Sequence, residues 1–186
     1  MRKVIMFNLV TLNGYFEGLN QDITWHQVDD EFNEFAIEQL SSTDGLIFGR
    51  MTYQLMAAYW PTPMAVQNDP IVAGKMNSLP KYVFSKTLEK VDWNNTRLIK
   101  GDAVVELNKL KQQSDNDLFI FGSAKLSSTF TQNGLIDEYR LIVNPIVLSG
   151  GVPLFDGSSG MLKLKLVNTK SFHNGNVLLY YQPDKK

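Results

Sequence analysis

The sequence predicts an α/β fold, a three-layer α-β-α sandwich around a mixed central sheet. Strand-like apolar runs alternate with amphipathic helical stretches for most of the chain, a pattern that pairs strands in parallel and covers both faces of the sheet with helices. Near the C-terminus the helical pattern stops and two strand-like segments follow each other, which adds antiparallel pairing. With 186 residues, 44% hydrophobic and 20% charged, the chain suits one domain, read as residues 1–183 with a polar tail at 184–186.

Residues 4–9 read as a buried strand, and TLNGYFEG after it carries the breakers Asn13, Gly14 and Gly18. From Asp29, DDEFNEFAIEQL places Phe32, Phe35, Ala36 and Leu40 near helical spacing with acidic residues at the N-terminal end, which makes a core-facing helix. DGLIFG is a short strand, and residues 50–59 form a helix that Pro61 and Pro63 interrupt. A short helix over 69–79 leads to the strand KYVFS, a strand over 96–99, a helix over 103–113 and the strand DLFIFG, which stops at Gly122. The next helix begins with Ser123 and ends at Gly134, followed by the strand EYRLIVNPIVL. SGGVPLFDGSSG is a loop, and residues 162–170 and 177–181 are the closing antiparallel pair.

Charge and composition exclude several functions. A formal net charge of −1, from 18 basic and 19 acidic residues, provides no field to gather nucleic acid or an anionic membrane. The absence of cysteine removes disulfides, thiol nucleophiles and thiolate metal sites, and two histidines cannot build a histidine-rich metal centre. Asn8 interrupts the first apolar run before a signal-peptide core forms, and no run approaches the roughly 18 apolar residues of a membrane span. The expectation is a cytoplasmic protein without a metal.

Arg50 raises the functional question. It opens a helix directly after a buried strand, where the helix dipole already leaves uncompensated positive charge. Either it reaches a surface carboxylate or an anion sits beside it. Three strand ends share this character: GRMTY after Phe48, SKTL after Phe84 and GSAKL after Phe121. Given a shared strand direction, they lie together on the carboxyl edge, where α/β sheets bind ligands. Two of them, Gly49-Arg50 and Gly122-Ser123, open helices whose free N–H groups suit phosphate oxygens. Singly, Gly122-Ser123 also reads as a turn with an N-cap, Lys86 as a solvated lysine, and Thr52 and Thr87 as ordinary hydroxyls. Neither a Walker sequence nor G-x-G-x-x-G is present.

TLNGYFEG with Trp25, GRMTY, FSKTL, FGSAKL and GLIDEYRLIVNPIVLSGGVPLF, in this order over nearly the whole chain, resemble the dihydrofolate reductase-like superfamily. Within it they are most similar to the reductase domain of the bifunctional riboflavin-biosynthesis deaminase-reductase. The resemblance implies a homodimer that uses NADPH as hydride donor. It matches Gly49, Arg50 and Thr52 to cofactor phosphate contacts, and Ser85, Lys86 and Thr87 to the adenosine ribose and its 2′-phosphate. Gly122, Ser123, Ala124 and Lys125 match the pyrophosphate turn, where Ser123 replaces the second glycine common in dihydrofolate reductases. Thr11, Asn13 and Gly14 match the mobile loop beside the nicotinamide, and Asn13 and Trp25 are assigned to the substrate pocket.

The substrate implied is a pyrimidine- or pterin-like heterocycle, with 5-amino-6-(5-phosphoribosylamino)uracil reductase as the nearest type and dihydrofolate reductase as the alternative. A non-catalytic NADPH-binding protein on the same fold is the alternative of another class. The first-helix carboxylate of dihydrofolate reductases falls on Asn33, which cannot serve as an acid, with Glu34 adjacent. The stretch matching the arginines that hold a ribose phosphate in the riboflavin-pathway enzymes, AIEQLSS, has no cation.

Overall fold

The structure is a computed structural model that describes residues 1–113, 116–155 and 160–184. In chain order the elements are β1 (Val4–Thr11), β2 (Tyr15–Gly18), α1 (Asp30–Ser41), β3 (Thr43–Gly49), α2 (Arg50–Tyr59), α3 (Pro63–Asn68), α4 (Pro70–Ser78), β4 (Lys81–Phe84), β5 (Thr96–Ile99), α5 (Ala103–Lys111), β6 (Asp117–Phe121), α6 (Ala124–Gln132), β7 (Glu138–Asn144), β8 (Gly151–Pro153), β9 (Leu164–Ser171) and β10 (Val177–Pro183).

The period-two alternation of strand side chains sorts the core into layers. Val4 and Met6 of β1, with Leu118 and Ile120 of β6, pack with Leu107 and Leu110 of α5 and Phe130 of α6. The intervening Ile5 and Phe119 turn to the opposite face, where they join Leu40 of α1, Tyr53 of α2, and Val72 and Met76 of α4. Strands sandwiched in this way are apolar on both faces, which is why they read as near-continuous runs. The main sheet has the order β5-β4-β3-β6-β1-β7-β10-β9. From β5 to β7 all neighbours are parallel, and β10 pairs antiparallel with both β7 and β9. The expected mixed three-layer architecture is therefore the observed one.

Several local expectations are corrected. Residues 15–18, read as part of a loop, form β2, which pairs with β8 inside the presumed loop after residue 148. Short polar and glycine-rich strands like these carry no periodic signal of their own. Helix α3 starts at Pro63, which needs no N–H at that position and follows the Thr62 cap, so the proline opens a helix as well as ending one. Strand β7 stops at Asn144 because Pro145 cannot donate to the ladder. Helix α5 ends at Lys111, short of residue 113, and α6 begins at Ala124 because Ser123 is left-handed. Positions 156–159 of the expected loop and 185–186 of the expected tail lie outside the described residues.

Lys81, at the start of β4, is fully buried. Its ammonium donates to the carbonyls of Met76 (2.8 Å), Asn77 (3.1 Å) and Leu79 (2.7 Å), and lies 4.4 Å from the Trp93 ring centroid. The lysine thus satisfies carbonyls around the end of α4 that no following helical turn could reach. Burial pushes its pKa down to about 8, while the carbonyls and the ring favour the cation. Lys81→Met is expected to lose charge-assisted bonds worth about 1.5–3 kcal/mol in total and to lower the urea midpoint at neutral pH without changing m. An unchanged midpoint would show that the interaction contributes nothing.

Candidate active site

Strands β4, β3, β6 and β1 are adjacent and parallel, so their C-terminal ends share one edge of the sheet. A cleft of about 1180 Å³ opens along that edge. Its wall includes Asn8 from β1, Gly49 at the end of β3, Phe84 and Lys86 at and after the end of β4, and Phe121 with Gly122 at the end of β6.

One hydroxyl ties two of these ends together. Ser123 Oγ accepts from the Gly49 N–H at 2.7 Å and donates to Thr52 Oγ1 at 3.0 Å, joining the β3–α2 and β6–α6 turns. The approach needs a glycine at 49, since a Cβ there would stand 2.7 Å from Ser123 Oγ. Gly122 is required twice over: its φ is +62°, and a Cβ would lie 2.7 Å from Thr52 Oγ1. Its N–H donates to Asn8 Oδ1 at 2.7 Å, which brings β1 into the same junction. Ser123 itself holds φ +61°, a conformation costly for a residue with a Cβ and kept here by its bridging hydroxyl.

Asp29, Thr62 and Asp102 cap α1, α3 and α5 by accepting first-turn N–H groups. At the starts of α2, α4 and α6 no side chain caps; residues 50–52 and 124–126 line the cleft, which places the favourable end of the α2 and α6 dipoles on its wall. Arg50, Lys86 and Lys125 line the same wall, are exposed, and form no ion pair among the described residues. The surface-carboxylate alternative for Arg50 has no carboxylate to support it among those residues.

The remaining residues singled out in the sequence divide. Gly49, Arg50, Thr52, Lys86, Gly122, Ser123, Ala124 and Lys125 are gathered on the cleft wall. Ser85 and Thr87 are not: Ser85 Oγ accepts the Leu88 N–H at 3.0 Å in a local turn. Thr11 is buried under the loop, taking the Tyr15 N–H and donating to Asn13, while Asn13 ties the loop to Leu148; neither they nor Gly14 reach the wall. Trp25 packs behind the wall, its indole donating to the Asp22 carbonyl. Glu34 is exposed and off the cleft because the register of α1 turns Asn33, not its neighbour, inward. Asn33 donates to the Asp69 carboxylate at 3.4 Å, so the carboxylate at this corner comes from the start of α4.

Four contributors were missed. The carboxylates on the wall are Asp69 and Glu17, the latter with its pKa raised by burial in β2. His26 stands on the wall with its ring edge-on to Trp25, 4.4 Å between centroids. Asn8, visible in sequence as the polar break in an apolar strand, is the fourth. His26 Nε2 and Asn8 Nδ2 are buried and have no protein partner. Burial holds the imidazole pKa down at about 4, with the Asp22 charge opposing, so the ring is neutral at pH 7.

An open, largely parallel sheet with an anion-ready edge and an apolar cleft beside it, closed by a terminal antiparallel pair, defines a dihydrofolate reductase-like α/β protein. The solved structure of Enterococcus faecalis dihydrofolate reductase complexed with NADP(H) has this fold, with a TM-score of 0.67 at 12% identity over 98% of this chain and 97% of that one. The chain belongs to the family of the RibD C-terminal domain, whose model matches residues 2–178. It is 35% identical to the uncharacterized protein YyaP of Bacillus subtilis, over 97% of this chain and 94% of that protein. It is 24% identical to the 2,5-diamino-6-ribosylamino-4(3H)-pyrimidinone 5′-phosphate reductase of Aquifex aeolicus, over 87% and 85% of the two chains.

Two outcomes follow from this geometry. Ser123→Ala and Ser123→Gly both remove the bridging hydroxyl and leave the Gly49 N–H unsatisfied, costing about 1–3 kcal/mol, but glycine relieves the left-handed backbone by about 1 kcal/mol. In chemical denaturation the alanine variant should therefore be the less stable of the two, and the reverse order would refute the bridge-and-strain account. For His26, the unfolded chain takes up a proton near pH 6.5 that the folded chain refuses until about pH 4. Stability is then full above pH 6.5 and falls as the pH drops through that window, by on the order of 2–3 kcal/mol. His26→Gln should flatten this part of the pH–stability curve, and parallel curves for the two proteins would contradict the burial effect.

Proposed function

We propose that the protein is an NADPH-dependent reductase that transfers hydride to a pyrimidine- or pterin-like heterocycle. The observation that carries this reading is the set of Arg50, Lys86 and Lys125, three cations without ion pairs among the described residues, on the wall of one largely apolar cleft. Beside them two helices start without a side-chain cap, so amides and cations converge where a dinucleotide carries its phosphates. The names of the Aquifex relative, a pyrimidinone phosphate reductase, and of the NADP(H) complex of the Enterococcus enzyme support the same reading.

In this reading Arg50, Lys125 and the starts of α2 and α6 hold the pyrophosphate, while Lys86 supplies charge to the remaining phosphate. Lys86, immediately beyond β4, takes the 2′-phosphate, without the Ser85 and Thr87 hydroxyls that the local turn occupies. Bound NADPH supplies the hydride, and the acceptor gains it at carbon and a proton at nitrogen. The chain's part is orientation and exclusion of water, which Phe7, Leu9, Phe32 and Phe121 provide around the cleft. The proton comes from solvent or from Asp69 or Glu17, the carboxylates on the wall.

Arg50→Ala is expected to weaken NADPH binding about 10- to 150-fold, the loss of a charge-assisted bond of roughly 1.5–3 kcal/mol, with the fold intact. Lys86→Ala should narrow the preference for NADPH over NADH from the NADPH side, and added salt should do the same in the wild type. Titration calorimetry with both cofactors at two ionic strengths checks this. Equal affinity for NADPH and NADH in the wild type would refute the role of Lys86. NADPH oxidation stimulated by a panel of heterocycles would establish the reductase, whereas saturable NADPH binding with no turnover across the panel would mark a binding protein.

A further inference from the structure

The part of the cleft that remains for the substrate has a distinct chemistry. Every cation on the described wall follows β3, β4 or β6, at positions 50, 86 and 125, and in the reading above these positions serve the cofactor phosphates. Beyond them, α1, α2 and α4 with their flanking residues present Phe32, Leu55, Trp60, Val72 and Met76 to the cleft, and their charged contribution is the Asp69 carboxylate just before α4. Arg140, whose partner Gln39 reaches the wall, is itself paired with Glu138 at 2.6 Å and does not line the cleft. A phosphate dianion seated here would lose its water, meet a carboxylate and find no compensating positive charge. That arrangement repels the phosphorylated ribose of the substrate for which the Aquifex relative is named.

The unused polar atoms point instead to a neutral ligand. Asn8 Nδ2 and His26 Nε2 are buried in the molecule without a protein partner, on residues that both line the cleft. Buried groups of this kind are costly unless something hydrogen-bonds to them. Asn8 is fixed by its bond to the Gly122 N–H, and His26 by its contact with Trp25, so each free atom is held at a defined position on a residue of the wall. An amide N–H donor and an imidazole nitrogen suit the carbonyl and ring-nitrogen edge of a flat heterocycle, whose faces the apolar wall then covers.

We infer that the substrate is a neutral, unphosphorylated aromatic heterocycle, with its polar edge recognised by Asn8 and His26, rather than a pyrimidine carrying a ribose phosphate. The inference rests on the proposal that Arg50, Lys86 and Lys125 are committed to NADPH. It is tested by titrating NADPH-saturated protein with lumazine, with 5-amino-6-ribosylaminouracil and with the 5′-phosphate of the latter, beside NADPH titration of the free protein. Lumazine is expected to bind, the 5′-phosphate to bring no gain over its nucleoside, and His26→Ala to weaken lumazine about 10-fold with NADPH affinity unchanged. His26→Gln, which keeps a polar atom at the position, should recover part of the loss. A phosphate that tightens binding tenfold, lumazine that fails to bind, or a His26→Ala variant with wild-type lumazine affinity would each overturn the inference while NADPH binding stands. Loss of NADPH binding in the wild type would overturn the cofactor reading and this inference with it.

Discussion

The hydrogen bonds of Ser123 Oγ to the Gly49 N–H and Thr52 Oγ1 are the constraint on which the site depends. They hold two strand-to-helix turns from separate parts of the chain at a spacing that a Cβ at either glycine would spoil. The bond between Asn8 and the Gly122 N–H extends the junction to the central strand β1. Because a neutral hydrogen bond contributes only about 1 kcal/mol net, this junction owes its precision to being over-determined by several contacts and by close packing. The same junction accounts for the departure from a glycine pair: a second glycine would relax the backbone but leave the Gly49 amide without its acceptor.

Around that junction the molecule separates two solvent environments. Toward the ends of β3, β4 and β6 it presents cations that form no ion pair among the described residues and uncapped helix starts, a surface that gains from an anion. Toward α1, α2 and α4 it presents aromatic and aliphatic side chains with isolated polar atoms, a surface that gains from a flat, weakly polar ring. A dinucleotide and a heterocycle placed end to end would satisfy both, and the apolar end would shield the reacting atoms from water. The structural lysine at 81 and the loop bonds of Thr11 and Asn13 lie outside this division and hold the frame that supports it.

How much of the site was legible in sequence varies with the range of the interaction. The strand-end glycines and cations stood out because glycine-to-helix transitions leave a local signature. His26 stood out to no rule, since a lone histidine after a tryptophan gives no pattern, and its importance comes from a buried Nε2 that only surrounding chain can create. Asn8 gave a signal that was read as a break in an apolar run rather than as a site. Glu34 and Asn33 are adjacent in sequence, but one residue of helix is about 100° of rotation, so the choice between them lay in the exact seating of α1. Asp69 came to Asn33 from 36 positions along the chain, beyond any local pattern.

Apolar periodicity, glycine and proline positions, and charge counts determined by themselves the α/β class, nearly every strand of the main sheet and most of the helices, because these features act over a few neighbouring residues. Tertiary structure decided the strand order, the β2–β8 pairing, the burial of Lys81 and the left-handed turn at Ser123. It also decided which polar groups share the cleft. The physical reason is that each of these depends on the desolvation and hydrogen-bond supply provided by distant segments. A residue's local sequence sets what it can offer, and the packed fold sets whether water, another side chain or a ligand meets it.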